Sequence, residues 1–118
     1  MVSRFARSAI FAAICVCVGT AVQAAERHAL LIGVTEYPED TRDLVPSLAG
    51  PRNDIVLVHR TLTDGWGDDA RITVLADSLE RSAYDWDGQV AGLPTRREII
   101  DAFERLERET APGDEVLI

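Results

Sequence analysis

Residues 28–34, His-Ala-Leu-Leu-Ile-Gly-Val, form an apolar run with no polar position alternating through it. A strand with one wet face alternates, so an unbroken run bounded by charge and turn residues reads as a strand covered on both faces. That single requirement asks for helices above and below a sheet. Two further runs repeat the signature, Arg71-Ile72-Thr73-Val74-Leu75 and Glu115-Val116-Leu117-Ile118. Helical stripes lie between them: Ile55, Val58 and Leu62 after Pro51, then Ile99, Phe103 and Leu106 after Thr95. Strand, helix, strand, helix, strand in that order predicts a parallel α/β sheet with helices on its two faces.

The signals at element ends support this order. Pro51 suits the first turn of a helix, where a missing N–H is harmless, with Asp54 expected in that turn where negative charge is favoured. Gly65 is expected to end the helix. Thr95 followed by Glu98 has the spacing of a capping box, and Pro112-Gly113 stops the second helix. The stretches 35–50 and 76–94 carry prolines, glycines and acids without sustained period. They read as long loops at the carboxyl ends of strands, where loops in compact domains are often functional.

The first 24 residues read as an export signal. Arg4 and Arg7 give a positive start, Ala9 to Val18 an apolar stretch, and Val22-Gln23-Ala24 the small residues of a cleavage site. The apolar stretch is well short of the ~20 residues of a spanning helix. Cleavage after Ala24 is the expectation, leaving residues 25–118 exported to a periplasmic or extracellular setting with no membrane attachment. Both cysteines, Cys15 and Cys17, leave with the signal, so the mature residues hold no disulfide, thiolate ligand or cysteine nucleophile.

Twenty acids stand against twelve arginines and no lysine, a formal net charge of −8. Such a field opposes nucleic-acid binding, which needs clustered positive charge, and suits a basic partner or plain solubility. The loop after the first strand has one glycine and an acid where phosphate would sit, so nucleotide binding is not expected. Asp85-Trp86-Asp87-Gly88 lacks the remaining ligand positions of a calcium loop. No cofactor or metal is called for. Trp66, Trp86 and Tyr84 are expected to cap the edge of the core rather than to line a binding box. His28, at the start of a strand, and His59, late in a helix, are expected to lie away from the carboxyl rim of the sheet.

Four segments taken together carry a family resemblance: Ala29-Leu30-Leu31-Ile32-Gly33-Val34, Leu48-Ala49-Gly50-Pro51-Arg52-Asn53-Asp54, Leu93-Pro94-Thr95-Arg96 and Pro112-Gly113-Asp114-Glu115-Val116-Leu117-Ile118. In this order they resemble the amino-terminal part of the caspase-like cysteine peptidases, bacterial and metacaspase-like members above all. The resemblance implies a caspase-hemoglobinase-like, Rossmann-like three-layer sandwich with a mostly parallel sheet, of which the first three strands and two main helices are present. It implies a cysteine–histidine endopeptidase whose histidine follows the third strand and whose cysteine follows the fourth, so residues 25–118 would stop short of both. The chain alone is then expected to be inactive, with the remainder of the peptidase domain as its partner and a polypeptide as the substrate. Asp54 matches the family aspartate that lines the pocket for a basic residue, although Pro51 stands where many metacaspases have cysteine. Complementing the helix dipole is the plain alternative role for Asp54, and Arg52 beside it reads as a solvated charge at the helix start. A non-catalytic caspase-like binding domain is the alternative reading of the whole.

Overall fold

The computed structural model describes residues 24–41 and 43–118. Residues 1–23 of the expected signal segment, both cysteines among them, lie outside the described residues. Three strands, β1 (Arg27–Gly33), β2 (Ala70–Ala76) and β3 (Glu115–Leu117), form one parallel sheet in the order β2-β1-β3. Two helices, α1 (Ala49–Trp66) and α2 (Arg96–Glu109), connect them. β1 pairs with β2 along its whole length, Arg27 opposite Ala70 to Gly33 opposite Ala76, but with β3 only from Arg27 opposite Glu115 to Ala29 opposite Leu117.

The order reverses at β1: the chain moves from β1 to β2 on one side, then returns across β1 to β3 on the other. Two crossovers of the same hand running in opposite directions place their helices on opposite faces. The core divides accordingly. Ala29, Leu31, Val74 and Ala76 pack with Ile55, Val56 and Leu62 of α1, while Leu30 and Leu75 pack with Ala102, Ile99 and Leu106 of α2. Successive residues of β1 thus serve alternate faces, the physical content of its unbroken apolar run. Gly33 lets α1 come close, because a Cβ there would lie 2.6 Å from Ile55 Cγ1 and 3.4 Å from Pro51 O.

Several boundaries differ from expectation. α1 begins at Ala49, so Pro51 is its third residue, still without need of an N–H donor, and Asp54 lies beyond the first turn, which holds no acid. The early start has no capping side chain to announce it, since Leu48 is the N-cap. At its other end α1 passes Gly65 to Trp66, and Gly67 follows with φ of 74°. Val58 is 39% exposed and Val56 takes the buried position; likewise Phe103 is 42% exposed and Ala102 faces the sheet. Close packing of a helix on a sheet favours the small side chain at its centre. The Thr95 hydroxyl accepts the Glu98 N–H at 3.3 Å, but Thr95 donates its own N–H to Leu93 O, so only half of the expected capping box forms. Trp66 and Trp86 pack against the core, whereas Tyr84 is 43% exposed.

At the amino end of the sheet, Asp114 clasps the approach to β3. Its carboxylate accepts the Ala111 N–H at 2.7 Å and the Glu26 N–H at 2.9 Å. These bonds, Ala111 first, hold the Asp114 carboxyl below its ordinary value of 3.8, with His28 and Arg71 acting in the same direction and burial against them. A depressed carboxyl stabilises the fold above its unfolded value and ceases to do so as pH falls through the folded one. Acid titration followed by circular dichroism should therefore show wild type losing stability below pH 3.8, and Asp114→Asn should lack that component. A second expectation concerns Gly33→Val: the added methyls meet Ile55, and the urea midpoint should fall by the equivalent of about 1–3 kcal/mol.

Candidate functional site at the carboxyl rim

In an open parallel sheet, ligands bind outside the carboxyl ends of the strands where the strand order reverses, because the loops on either side of that point part and leave a crevice. Here the reversal falls between β1 and β3. A cleft of about 460 Å³ lies beside the edge of β1 that β3 leaves unpaired beyond Ala29, its walls formed by Leu30, Ile32, Pro51, Val58, Leu117 and Ile118. Asp54, from the second turn of α1, is the one charged residue that lines it. Its side chain is exposed and, among the described residues, makes no hydrogen bond or ion pair.

The neighbouring residues explain why Asp54 remains uncommitted. Asn53 faces the other way, its Oδ1 accepting the Ser82 hydroxyl at 3.0 Å and the Ala83 N–H at 2.9 Å. Asp77, directly after β2, accepts the Thr35 N–H at 2.9 Å and the Glu36 N–H at 3.1 Å. Glu36 in turn accepts bonds from Ser47 at 2.7 Å and Arg81 at 2.8 Å. The Thr35 carbonyl accepts the Leu48 N–H at 3.2 Å, which ties the end of β1 to the start of α1. Ser78 adopts a left-handed backbone with φ of 56°, a conformation that costs a non-glycine residue roughly 1–2 kcal/mol. Its hydroxyl reaches Glu36 at 3.4 Å.

Asp77, Glu36 and Asn53 thus brace the two rim loops against α1. None of the three stood out in the sequence as a structural residue. The one local signal was an acid placed immediately after an apolar strand, and its partners are 41 and 42 residues away.

Arg52 departs from the solvated charge expected of it. It is half-buried, and its Nε is shielded from water with no hydrogen-bond partner. The Thr35 hydroxyl is buried and likewise unpartnered. His59 packs edge-on against Trp86 at 4.7 Å, on the helix body and away from the rim, and His28 lies at the opposite end of the sheet.

A second cleft of about 480 Å³ follows the end of β2 and is lined by Asp77, Leu79, Tyr84, Asp85, Trp86 and Val90. It lies on the side of the sheet away from the reversal, and Asp77 is already occupied by two backbone donors. The β1/β3 cleft is therefore the better candidate. Among the described residues no group of three or more His, Cys, Asp or Glu side chains could hold a metal ion, and no helix is long and apolar enough to cross a membrane. Comparisons with protein-family models, with curated proteins and with solved structures find no match.

What the site can do chemically follows from its make-up: an apolar crevice with one uncommitted carboxylate suits an extended chain bearing a cationic side chain. The brace is testable by itself. Asp77→Ala removes the acceptor for two backbone donors and should cost about 2–4 kcal/mol in urea unfolding, since each stranded donor costs roughly 1–3 kcal/mol less what water recovers.

Proposed function

We propose that this chain is the amino-terminal part of an exported caspase-like cysteine endopeptidase, and that Asp54 holds the basic side chain preceding the bond to be cut. The observation that carries the reading is the position of Asp54: an unpaired carboxylate in the crevice where the strand order reverses, at the residue the resemblance marks as pocket-lining. Its place beyond the first turn of α1 weakens the rival role of complementing the helix dipole, which falls off within that turn.

In this reading the chain supplies binding and orientation, while the thiolate and imidazole come from residues outside it. The imidazole draws the proton from the thiol and later passes it to the leaving amine, so residues 25–118 alone hydrolyse nothing. The Asp54 carboxylate gains most when a guanidinium or ammonium enters the crevice and both ions leave water together.

The deciding experiment takes the product of the reading frame extended past Ile118 and assays it on matched peptides with arginine or aspartate before the scissile bond. Asp54→Ala should lower kcat/KM for the arginine peptide by ~30-fold or more, the lower end for removing one partner of a buried charge pair. It should leave basal activity on the aspartate peptide unmoved. Equal loss on both peptides would remove the pocket assignment, and an extended product lacking the histidine and cysteine would remove the peptidase reading. For the secreted protein, amino-terminal sequencing should begin at Ala25.

A further inference from the structure

The cleft beyond β2 is walled by a loop that is pinned on both of its limbs. On the outgoing limb, Asn53 Oδ1 accepts the Ser82 hydroxyl and the Ala83 N–H, Arg60 donates to the Asp85 carbonyl at 3.1 Å, and His59 packs edge-on against Trp86. All three anchors belong to α1. On the return limb the Ala91 N–H donates to Val74 O at 2.8 Å and the Ala76 N–H to Gly92 O at 3.2 Å, so residues 91 and 92 run beside β2. Gly88 lets the chain pass close over Trp86, because a Cβ there would lie 2.5 Å from its Cη2. The walls are fixed by contacts made outside the cleft.

The lining is of two kinds. Tyr84, Trp86, Val90 and Leu93 give it aromatic and aliphatic surface, and all but Trp86 are exposed. Asp77, Glu80 and Asp85 give it negative charge, and no arginine lines it. Asp77 is committed to the Thr35 and Glu36 N–H groups. Glu80 and Asp85 are exposed, and among the described residues their carboxylates make no hydrogen bond or ion pair. The guanidiniums of the flanking elements are engaged elsewhere, Arg81 with Glu36 at 2.8 Å and Arg60 with the Asp85 carbonyl rather than its carboxylate. Apolar walls with uncompensated negative charge complement a cation carried on an apolar stem.

We propose that this cleft seats an arginine side chain of a basic polypeptide, its guanidinium against the Tyr84 and Trp86 rings and paired with Glu80 and Asp85. Arginine suits it better than lysine, because a planar, weakly hydrated guanidinium stacks on aromatic faces and also donates to carboxylates from a fixed fork. The exposed Val90 and Leu93 offer an apolar seat to the residues flanking that arginine, which a small free cation would leave uncovered. A formal charge of −8 draws a basic partner toward the chain. The partner enters by its side chain, since residues 91 and 92 already occupy the outer edge of β2 at this level. The cleft shares no lining residue with the one that holds Asp54, and the proposal does not rest on the peptidase reading.

Two-dimensional nuclear magnetic resonance on the isotope-labelled full chain tests this, with a blocked pentapeptide whose central arginine is flanked by leucines as the probe. The Trp86 indole N–H and the Glu80, Tyr84 and Asp85 amides should shift together along one saturation curve. A citrulline peptide, close in shape but uncharged, should bind about tenfold more weakly or worse, the scale of losing a charged hydrogen bond. Raising salt from about 20 to about 200 mM should also weaken the arginine peptide. Glu80→Gln combined with Asp85→Asn should produce the same tenfold loss for arginine and leave citrulline unmoved. Neither carboxylate is bonded within the fold and the Asp85 carbonyl that holds Arg60 is retained, so signals outside the cleft should stay in place. Shifts centred on Asp54, Val58 and Ile118, equal affinity for the citrulline peptide, or no saturation at millimolar peptide would overturn the proposal. Agmatine binding as tightly as the peptide would overturn it too, by making a small free cation the occupant.

Discussion

Everything in this fold is registered on β1, because it is the one strand that must satisfy neighbours on both edges and both faces. Its seven residues pair fully with β2 and partly with β3, while Ala29 and Leu31 face α1 and Leu30 and Ile32 face α2. Buried aliphatic side chains of this kind contribute about 1.5–3 kcal/mol each, but only where both helices dock together. A shift of β1 by one residue would exchange its two faces and spoil both cores at once. Gly33 sharpens the constraint at the rim, since the backbone itself forms the contact surface for Ile55 and Pro51.

The two ends of the sheet use charge differently. At the carboxyl rim, Asp77, Glu36 and Asn53 spend their acceptors on backbone and side-chain donors of the loops, and that commitment leaves Asp54 unpaired in the crevice. At the amino end, Asp114, Glu26, Arg71 and His28 gather where β3 begins, and backbone donors already hold Asp114 in its charged form. One end leaves the Asp54 carboxylate unpaired among the described residues; the other uses carboxylates to hold the chain together.

Features set by neighbouring residues are legible in the sequence, and features set by contacts far apart along the chain are not. The unbroken run at 28–34, the alternation of strands with helices and the Thr95 cap were visible as residue patterns, and each corresponds to an observed element. α1 starts two residues before Pro51, the only local cue to its beginning, because its N-cap Leu48 carries no capping group. Val58 and Phe103 fitted the helical stripes by spacing, yet Val56 and Ala102 are the residues that meet the sheet. Spacing defines a face to within about one residue, and the docking angle of the helix settles which side of that face is buried.

By itself the sequence determined the class of fold: strands apolar through their length need cover on both faces, and the helices between them provide it. It also marked Asp54 as a residue of interest. Only the tertiary structure decided that Asn53 turns toward Ser82 while Asp54 is left in the crevice, that Arg52 is half-buried, and that His28 lies between two carboxylates. The physical reason is distance along the chain. Glu26 meets Asp114 across 88 residues and Thr35 meets Asp77 across 42, and no local pattern encodes which way a side chain turns until the segments are packed.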